Sequence, residues 1–195
     1  MSPELMDYLN GRGLSAETVK EARLGQVSAP LSGHEYLQGS LVIPYIGPKG
    51  NVYNIRFRCT AHESCKAAGH DKKYQSLPGF PNRVYNVRAL VAADDTIHVT
   101  EGELDAVTLG ACGLSAVGIP GVKSMPAHFP RMVAGFSSVT LWADGDDAGR
   151  EFAGKFMKVI PVARTLIMGA SLDVNSVYVK EGKAGIMRLL RGDDE

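Results

Sequence analysis

The 195-residue sequence predicts an α/β fold in which helices cover both faces of a parallel sheet, preceded by a smaller mixed α/β subdomain. Two features predict this architecture. From Thr96 onward, short runs with the pattern of strands alternate with longer runs that have the period of helices. Upstream, two strand-like runs flank a tight turn, which is typical of an antiparallel hairpin. We therefore divide the chain into residues 1–92 and residues 93–195.

The predicted elements of the second part run from Thr96 to Gly169. Strands are predicted at 96–100, 115–119, 139–144 and 163–169, and helices at 102–112, 127–135 and 148–160. Pro130 interrupts the second of these helices. The third places Phe152, Phe156 and Val159 on one face, which we expect to pack on the sheet.

The first part begins with helical patterns and continues with the hairpin. Ser15 and Gly25 bracket a short helix at 16–24, and another short helix is expected before it. The hairpin joins strands at 41–46 and 51–58 through the turn at 47–50. Its second strand presents Val52, Ile55 and Phe57 to the core. The stretch from Tyr74 to Leu90 is predicted to be irregular.

Charge is balanced overall but unevenly distributed. The chain has 21 basic and 21 acidic residues. Seven Lys or Arg and two acids lie between Arg56 and Arg88, whereas five acids and no Lys or Arg lie between Asp94 and Asp105. A phosphate-binding face followed by a cation-binding face would have this pattern, and so would two solvated faces.

The composition also bears on location. The opening residues do not form a secretory signal, and no uncharged stretch is suited to a membrane span. Three cysteines are too few for a disulfide framework. We therefore expect a cytoplasmic protein without membrane contacts.

Acidic residues recur where the predicted parallel strands end. Ligands of such sheets bind beyond the carboxyl ends of the strands. Crowded carboxylates repel one another unless a cation such as Mg²⁺ or Mn²⁺ is bound. The predicted metal-binding carboxylates are Glu101, Asp105, Asp144, Asp146 and Asp173.

These acids have two other interpretations. Each acid could instead cap a helix or stabilise a turn. The sequence from Asp144 also imitates the first positions of an EF-hand loop, but Lys155 stands where that loop requires a bidentate Glu. This second interpretation therefore fails.

The sequence motifs around these acids resemble the Toprim domain, which is shared by bacterial-type (DnaG-like) primases, topoisomerases and some nucleases. The upstream segments resemble, in order and spacing, the region that precedes Toprim in primases. The Toprim-like words are EGELD, GIPGV and DGDDAG, and the primase-like segments are YLNGRGLSAETVKEARLG, GNVYNIRFR, KKYQSLPG and RVYNVRAL.

The resemblance implies a DNA primase core, from a bacterium or a bacteriophage, that makes short RNA primers on single-stranded DNA by metal-dependent nucleotidyl transfer. It implies that Glu101 is a catalytic acid or base, or an indirect metal anchor, and that Asp144 and Asp146 are catalytic metal ligands. Asp105 and Asp173 would complete the acidic rim. Primases of this type often carry a further acid where this chain has Asn175, so one metal position loses a charge.

The basic stretch would bind the template and product strands through phosphate contacts and base stacking. The residues expected to do so are Arg56, Arg58, Lys72, Lys73, Tyr74, Arg83 and Arg88. The resemblance singles out Arg58, Lys73 and Tyr74.

Four potential zinc ligands lie within the basic stretch: Cys59, His62, Cys65 and His70. They could form a small Zn²⁺ loop. Because their spacing matches no familiar zinc knuckle, an ordinary exposed loop is the simpler interpretation.

Two other functions stay open at this point. The chain could be another Toprim enzyme, a nuclease or a topoisomerase-like protein, or a binding module whose acids have become structural. As a primase it would act with NTPs, an RNA primer, a separate zinc-ribbon module and a replicative helicase. Neither of these last two is visible in the sequence, so we expect a fragment or the product of a split gene.

Overall fold

A computed structural model of the chain describes residues 1–60, 65, 72–79, 81–120 and 125–192. Contacts divide the chain into two compact units. The first consists of Met1–Tyr45 with Asn51–Pro81, and the second of Ile46–Gly50 with the chain from Asn82 onward. The functional boundary between residues 92 and 93 stays a prediction.

The first unit opens with two capped helices. Helix α1 spans Pro3–Gly11 and helix α2 spans Ala16–Glu21, and the side chains of Ser2 and Ser15 accept backbone hydrogen bonds at their N-termini. The helix predicted at 16–24 is thus confirmed, but it ends three residues early. It ends there because Arg23 adopts a left-handed conformation, with φ 54°, which does not continue a helix.

The same unit contains a four-stranded sheet with the order β1-β2-β3-β4. Its strands are β1 (Gly25–Gln26), β2 (Leu41–Ile46), β3 (Val52–Arg58) and β4 (Tyr74–Ser76). Strands β1 and β2 pair antiparallel, as do β3 and β4. Strands β2 and β3 are the arms of the predicted hairpin. Strand β4 lies in the stretch that was expected to be irregular.

The burial predicted for β3 is partly wrong. Val52, predicted to be core, is 42% exposed, whereas Phe57 is buried. Asn54 is buried as well, and its Oδ1 accepts the N–H of Ile55 at 2.9 Å. This buried position tolerates the polar side chain of Asn54 because the side chain is hydrogen-bonded.

The second unit has a wholly parallel sheet with the order β6-β5-β7-β8, which confirms the predicted fold class. Its strands are β5 (Thr96–Thr100), β6 (Ala116–Gly118), β7 (Ser138–Ala143) and β8 (Arg164–Ile167). Its helices are α3 (Arg88–Ala92), α4 (Glu103–Ala111), α5 (Phe129–Val133), α6 (Asp147–Val159) and α7 (Val174–Arg191).

The order of these strands creates a switch point between β5 and β7. From β5 the chain passes through α4 to β6 on one side, whereas from β7 it passes through α6 to β8 on the other. Right-handed crossovers in opposite directions place α4 and α6 on opposite faces of the sheet. Ligands of open parallel sheets bind where the strand order reverses in this way.

Three details of the helices differ from the sequence prediction. Val159 is 45% exposed, so only Phe152 and Phe156 of the proposed apolar face are buried. Pro130 lies in the first turn of α5, where its missing N–H is not needed, and so does not interrupt the helix. Helix α7 was not predicted, because Gly182, with φ 65°, breaks its period. No helix in the described ranges is long and apolar enough to cross a membrane.

A buried polar pair links the two central strands of the parallel sheet. The indole Nε1–H of Trp142 on β7 donates to Nδ1 of His98 on β5 at 3.1 Å. Burial disfavours the imidazolium and lowers the pKa of His98 from 6.5 to about 4. The pair therefore requires a neutral histidine.

This pair should make stability depend on pH. Below pH 6.5, His98 becomes protonated in the unfolded chain but stays neutral in the folded chain until about pH 4. The contribution of the neutral His98 to the free energy of unfolding is therefore lost as pH falls from 6.5 to about 4. His98→Gln keeps an acceptor for Trp142 and removes the titration. Urea unfolding across this window should show the wild type losing about 2 kcal/mol more than this variant.

The matched control for this prediction is His128→Gln, at an exposed histidine of the same unit. It should follow the wild type at every pH. Parallel pH profiles for wild type and His98→Gln would show that His98 is not held neutral by the fold.

Candidate active site

The structure brings the five predicted carboxylates together at the switch point. Glu101 follows β5 and Asp144 follows β7, while Asp173 lies between β8 and α7. Burial, together with the charges of Asp105, Glu101, Asp173 and Asp146, raises the pKa of Asp144 to about 8. Asp144 is therefore the centre of the cluster, and its carboxylate is disfavoured by all of its acidic neighbours.

Glu101 holds the backbone at the end of β7. Its Oε1 accepts the N–H of Asp144 at 2.9 Å. Burial and the charge of Asp146 raise the pKa of Glu101, while this hydrogen bond lowers it. Glu101 thus fixes the position of Asp144 through the main chain and still presents a second carboxylate oxygen.

Asp146 and Asp173 are both helix caps and members of the acidic cluster. Asp146 Oδ1 accepts the N–H of Gly149 at the start of α6, at 2.7 Å. Asp173 Oδ1 accepts the N–H of Ser176 at the start of α7, also at 2.7 Å. The capping interpretation is therefore correct for these two acids. The capping role does not exclude the metal-binding interpretation, because each cap uses only one of the two carboxylate oxygens.

These acids line an open pocket of about 270 Å³. The residues around it are Asp144, Gly145, Asp146, Ser171, Leu172 and Asp173. The loop after β7 and the loop after β8 form it together: the N–H of Gly145 donates to Leu172 O at 2.8 Å, and the N–H of Ser171 donates to Gly145 O at 3.1 Å.

Two glycines permit this close approach. A Cβ at Gly145 would lie 1.8 Å from the carbonyl oxygen of Gly169. At Gly149 it would lie 2.2 Å from Asp144 O and 2.8 Å from Glu101 Oε1. Any larger residue would force the acid-bearing loops apart, so the glycines of the DGDDAG word are steric requirements of the site.

Asn175 orients Asp105 from the adjacent helix. The backbone N–H of Asn175 donates to Asp105 Oδ1 at 3.1 Å, and its Nδ2 donates to Thr108 Oγ1 at 3.0 Å. Asn175 is only 4% exposed and does not line the pocket. Its side chain ties α7 to α4.

The donor set suits a hard divalent cation. Within the described ranges, no three acidic, histidine or cysteine side chains already enclose a single point at metal-binding distances. Three of the carboxylates, those of Asp144, Asp146 and Asp173, line an open pocket instead. Mg²⁺ commonly binds through one or two carboxylates while it keeps several waters. A cation would also offset the repulsion that raises the pKa of Asp144. The residues present therefore fit Mg²⁺ or Mn²⁺.

In the first unit, arginine and tyrosine side chains form a stacked group that we name the basic aromatic cluster. It comprises Tyr8, Arg12, Arg56, Arg58 and Tyr74. The guanidinium of Arg58 lies 4.9 Å from the ring centroid of Tyr74 and 5.6 Å from that of Tyr8, and its Nη1 donates to the Tyr74 hydroxyl. Arg56 lies 4.7 Å from the ring of Tyr74. Cation–π contacts thus connect β3 to β4 through Tyr74 and to α1 through Tyr8.

Burial separates the basic residues into two kinds. Arg58 is only 4% exposed, and its Nε has no hydrogen-bond partner within the described residues. Lys72 and Lys73, which precede β4, are exposed. Arg83 and Arg88 are also exposed but belong to the second unit. The structure therefore groups only part of the predicted basic set.

Sequence reasoning missed Tyr8 and Arg12. Arg12 lies 5.3 Å from the ring of Tyr8, and its Nε donates to the Tyr8 hydroxyl at 2.8 Å. Their spacing of four residues on α1, which places both on one helix face, was the available signal.

The proposed zinc ligands are described only in part. Cys59 and Cys65 are buried thiols that no disulfide joins, whereas His62 and His70 lie outside the described residues.

Comparison with known proteins supports this fold. No family model matches the chain. The chain is 36% identical over 154 residues to the gene 57 protein of Mycobacterium phage D29, covering 77% of this chain and 97% of that protein. It is 25% identical over 190 residues to the DNA primases of two Helicobacter pylori strains, of which it spans 33%.

Several solved structures similar to this chain are primase catalytic domains. The DnaG catalytic core matches with a TM-score of 0.77 and 20% identity, over 97% of this chain and 73% of that one. The zinc-binding and RNA polymerase domains of Aquifex aeolicus primase match with a TM-score of 0.80 and 18% identity, over 98% and 56%. The primase fragment of the bacteriophage T7 primase-helicase matches with a TM-score of 0.71 and 22% identity, over 93% of this chain and 72% of that one.

The fold and the acidic site thus define a protein with the catalytic-core fold of DnaG primases. Within that class, the chain belongs to the same family as the gene 57 protein of Mycobacterium phage D29.

Crowding of the acids should destabilise the metal-free protein at neutral pH. The pKa of Asp144 is about 8 in the folded chain against an ordinary value of 3.8, so its contribution to stability falls as pH rises between these values. Asp144→Asn removes this loss. Because Asp144 is partly solvated, we expect a gain of about 1–2 kcal/mol near pH 8, measured by urea unfolding in EDTA.

Asp147→Asn is the control for this prediction, because the Asp147 side chain is fully exposed and pairs with Arg150 at 2.9 Å. It should gain nothing. If Asp144→Asn is no more stable than wild type at any pH, the carboxylates are not crowded.

Proposed function

We propose that the chain synthesises RNA primers on single-stranded DNA by metal-dependent nucleotidyl transfer. One observation carries the proposal: three strand ends deliver five carboxylates to the switch point of a sheet with the fold of primase catalytic cores. The sequence match to DNA primases supports it.

In this reaction the 3′-hydroxyl of one nucleotide attacks the α-phosphate of the next, and pyrophosphate leaves in line. Bound divalent cations lower the pKa of the attacking hydroxyl and neutralise charge on the triphosphate. Asp144 and Asp146 would hold the cations, with Asp105 and Asp173 completing the rim. Glu101 keeps Asp144 in place through Oε1. Its other oxygen can accept the proton of the attacking hydroxyl.

The template, the NTPs and the growing primer are anions that need basic partners. We assign phosphate contacts to Lys72, Lys73 and Arg56, which are at least partly exposed. Arg58 is assigned a supporting role, because its burial between Tyr8 and Tyr74 orders the cluster without exposing the guanidinium. Arg83 and Arg88 are further candidate contacts in the second unit.

The relatives also indicate partners. The Aquifex structure combines an RNA polymerase domain with a zinc-binding domain, and the T7 protein combines a primase with a helicase. We infer that this chain acts with a separate zinc-ribbon module and a replicative helicase, in the cytoplasm of a bacterial host.

The direct test is incorporation of labelled NTPs on single-stranded DNA in the presence of Mg²⁺ or Mn²⁺. Changes in the outer shell of a metal site commonly cost about 10- to 100-fold, so Asp144→Asn and Asp146→Asn should each lower the rate by more than about 100-fold. Asn at position 146 can still cap α6, which keeps the fold intact. Asp147→Asn should retain full activity, because its side chain points into solvent.

The outcome separates primer synthesis from the two other functions. Metal-dependent degradation of the template would identify a nuclease, and DNA binding without either reaction would identify a binding module. Wild-type primer synthesis by both acidic-site variants would refute the metal assignment.

A second prediction concerns the basic side chains. Lys73→Ala should weaken binding of single-stranded DNA and reduce the slope of log affinity against log salt by about one, because one phosphate contact and its counterion are lost. Fluorescence anisotropy at several salt concentrations measures this slope. Lys20→Ala, at an exposed lysine of α2, should leave affinity and slope unchanged. An unchanged slope for Lys73→Ala would show that the template binds elsewhere.

A further inference from the structure

Two buried cysteines meet beside the β3–β4 ladder. Cys59 directly follows β3, and its backbone N–H donates to Lys73 O at 2.9 Å, so it extends the ladder one residue beyond the pairing of Arg58 with Tyr74. Cys65 is the other cysteine of the connection between the two strands. The exposed fractions of Cys59 and Cys65 are 8% and 7%.

The side chains of Cys59 and Cys65 meet although six positions separate them in sequence. Their side chains share a hydrogen bond, which together with burial raises the pKa of Cys65 to about 11, while the nearby ammonium of Lys73 lowers it. No disulfide joins these two residues. The fold thus places two soft donors side by side.

The sequence concentrates zinc-type donors in the same stretch of the chain. The chain has three cysteines and five histidines, and two of each fall within positions 59–70. Cysteine sulfur and histidine nitrogen are the donors that Zn²⁺ prefers in proteins. Nothing in the proposed reaction uses these thiols, so they are unexplained by the acidic site.

We propose that Cys59 and Cys65 are ligands of a binding site for Zn²⁺ or a similar thiophilic divalent cation, located where the chain leaves β3 and returns to β4. The cation would be held by two side chains that the fold already places side by side. Both thiols would bind as thiolates, whose mutual repulsion the cation removes.

Such a site would stabilise the ladder that bears the basic aromatic cluster. A cation bound to Cys59 and Cys65 would cross-link part of the connection between β3 and β4. The connection would then lose less conformational entropy on folding. Because Cys59 pairs with Lys73 and is adjacent to Arg58, the cation would fix the register of both basic residues. The proposal concerns stability and metal content, and it stands independently of primer synthesis.

The test is the zinc content and cobalt spectrum of the full chain, purified with a phosphine reductant that does not bind zinc. We expect one zinc ion per chain by mass spectrometry, and a thiolate-to-cobalt charge-transfer band on titration with Co²⁺ alone. Cys59→Ser and Cys65→Ser should each lower zinc affinity by more than about 100-fold in competition with a chromophoric chelator. Cys112→Ser, at a buried free cysteine of the second unit, is the matched control and should keep the zinc.

Two results would overturn the proposal: wild-type chain without zinc after purification in zinc-containing medium, or zinc retained by both cysteine variants. If the variants fail to fold, the wild-type cobalt spectrum decides, because a site without thiolate ligands gives no charge-transfer band. These measurements need neither DNA nor NTPs, so they are unaffected if the primase proposal fails.

Discussion

Repulsion among carboxylates at the end of the parallel sheet is the constraint on which the second unit is built. Burial, together with four acidic neighbours, raises the pKa of Asp144 to about 8. A protein gains nothing in stability from such a cluster, because each additional buried charge disfavours the others. The surrounding structure therefore serves to hold the acids in place until a cation offsets their charge.

Helix starts and glycines hold these acids together. Asp146 and Asp173 are the N-caps of α6 and α7, where unpaired N–H groups and the helix dipole favour negative charge. Gly145 and Gly149 let the two acid-bearing loops approach to distances that a Cβ would prevent. Strand order brings the loops side by side, and local sequence then fixes their spacing.

The sequence was sufficient to predict the parallel sheet and its acidic edge, because helical connections make the strands parallel and so place all their carboxyl ends at one edge of the sheet. It was insufficient where side chains act against their usual preference. Arg58 is a charged residue, yet two tyrosine rings cover it and leave it 4% exposed. One of these rings, Tyr8, comes from a helix fifty positions earlier, and a contact of that kind leaves no local pattern. Helix α7 was missed for a local reason, since Gly182 interrupts its periodicity.

Asn175 shows how the chain accommodates its departure from the primases it resembles. Thr108 Oγ1 donates its hydrogen to Leu104 O at 2.8 Å and so can only accept from Asn175 Nδ2. An ionised aspartate at position 175 has no hydrogen to donate and would face the oxygen of Thr108 in a buried environment. The amide therefore matches Thr108, and the backbone N–H of the same residue holds Asp105. The charge missing from the rim is exchanged for a hydrogen-bonded link between α4 and α7 that positions one of the remaining acids.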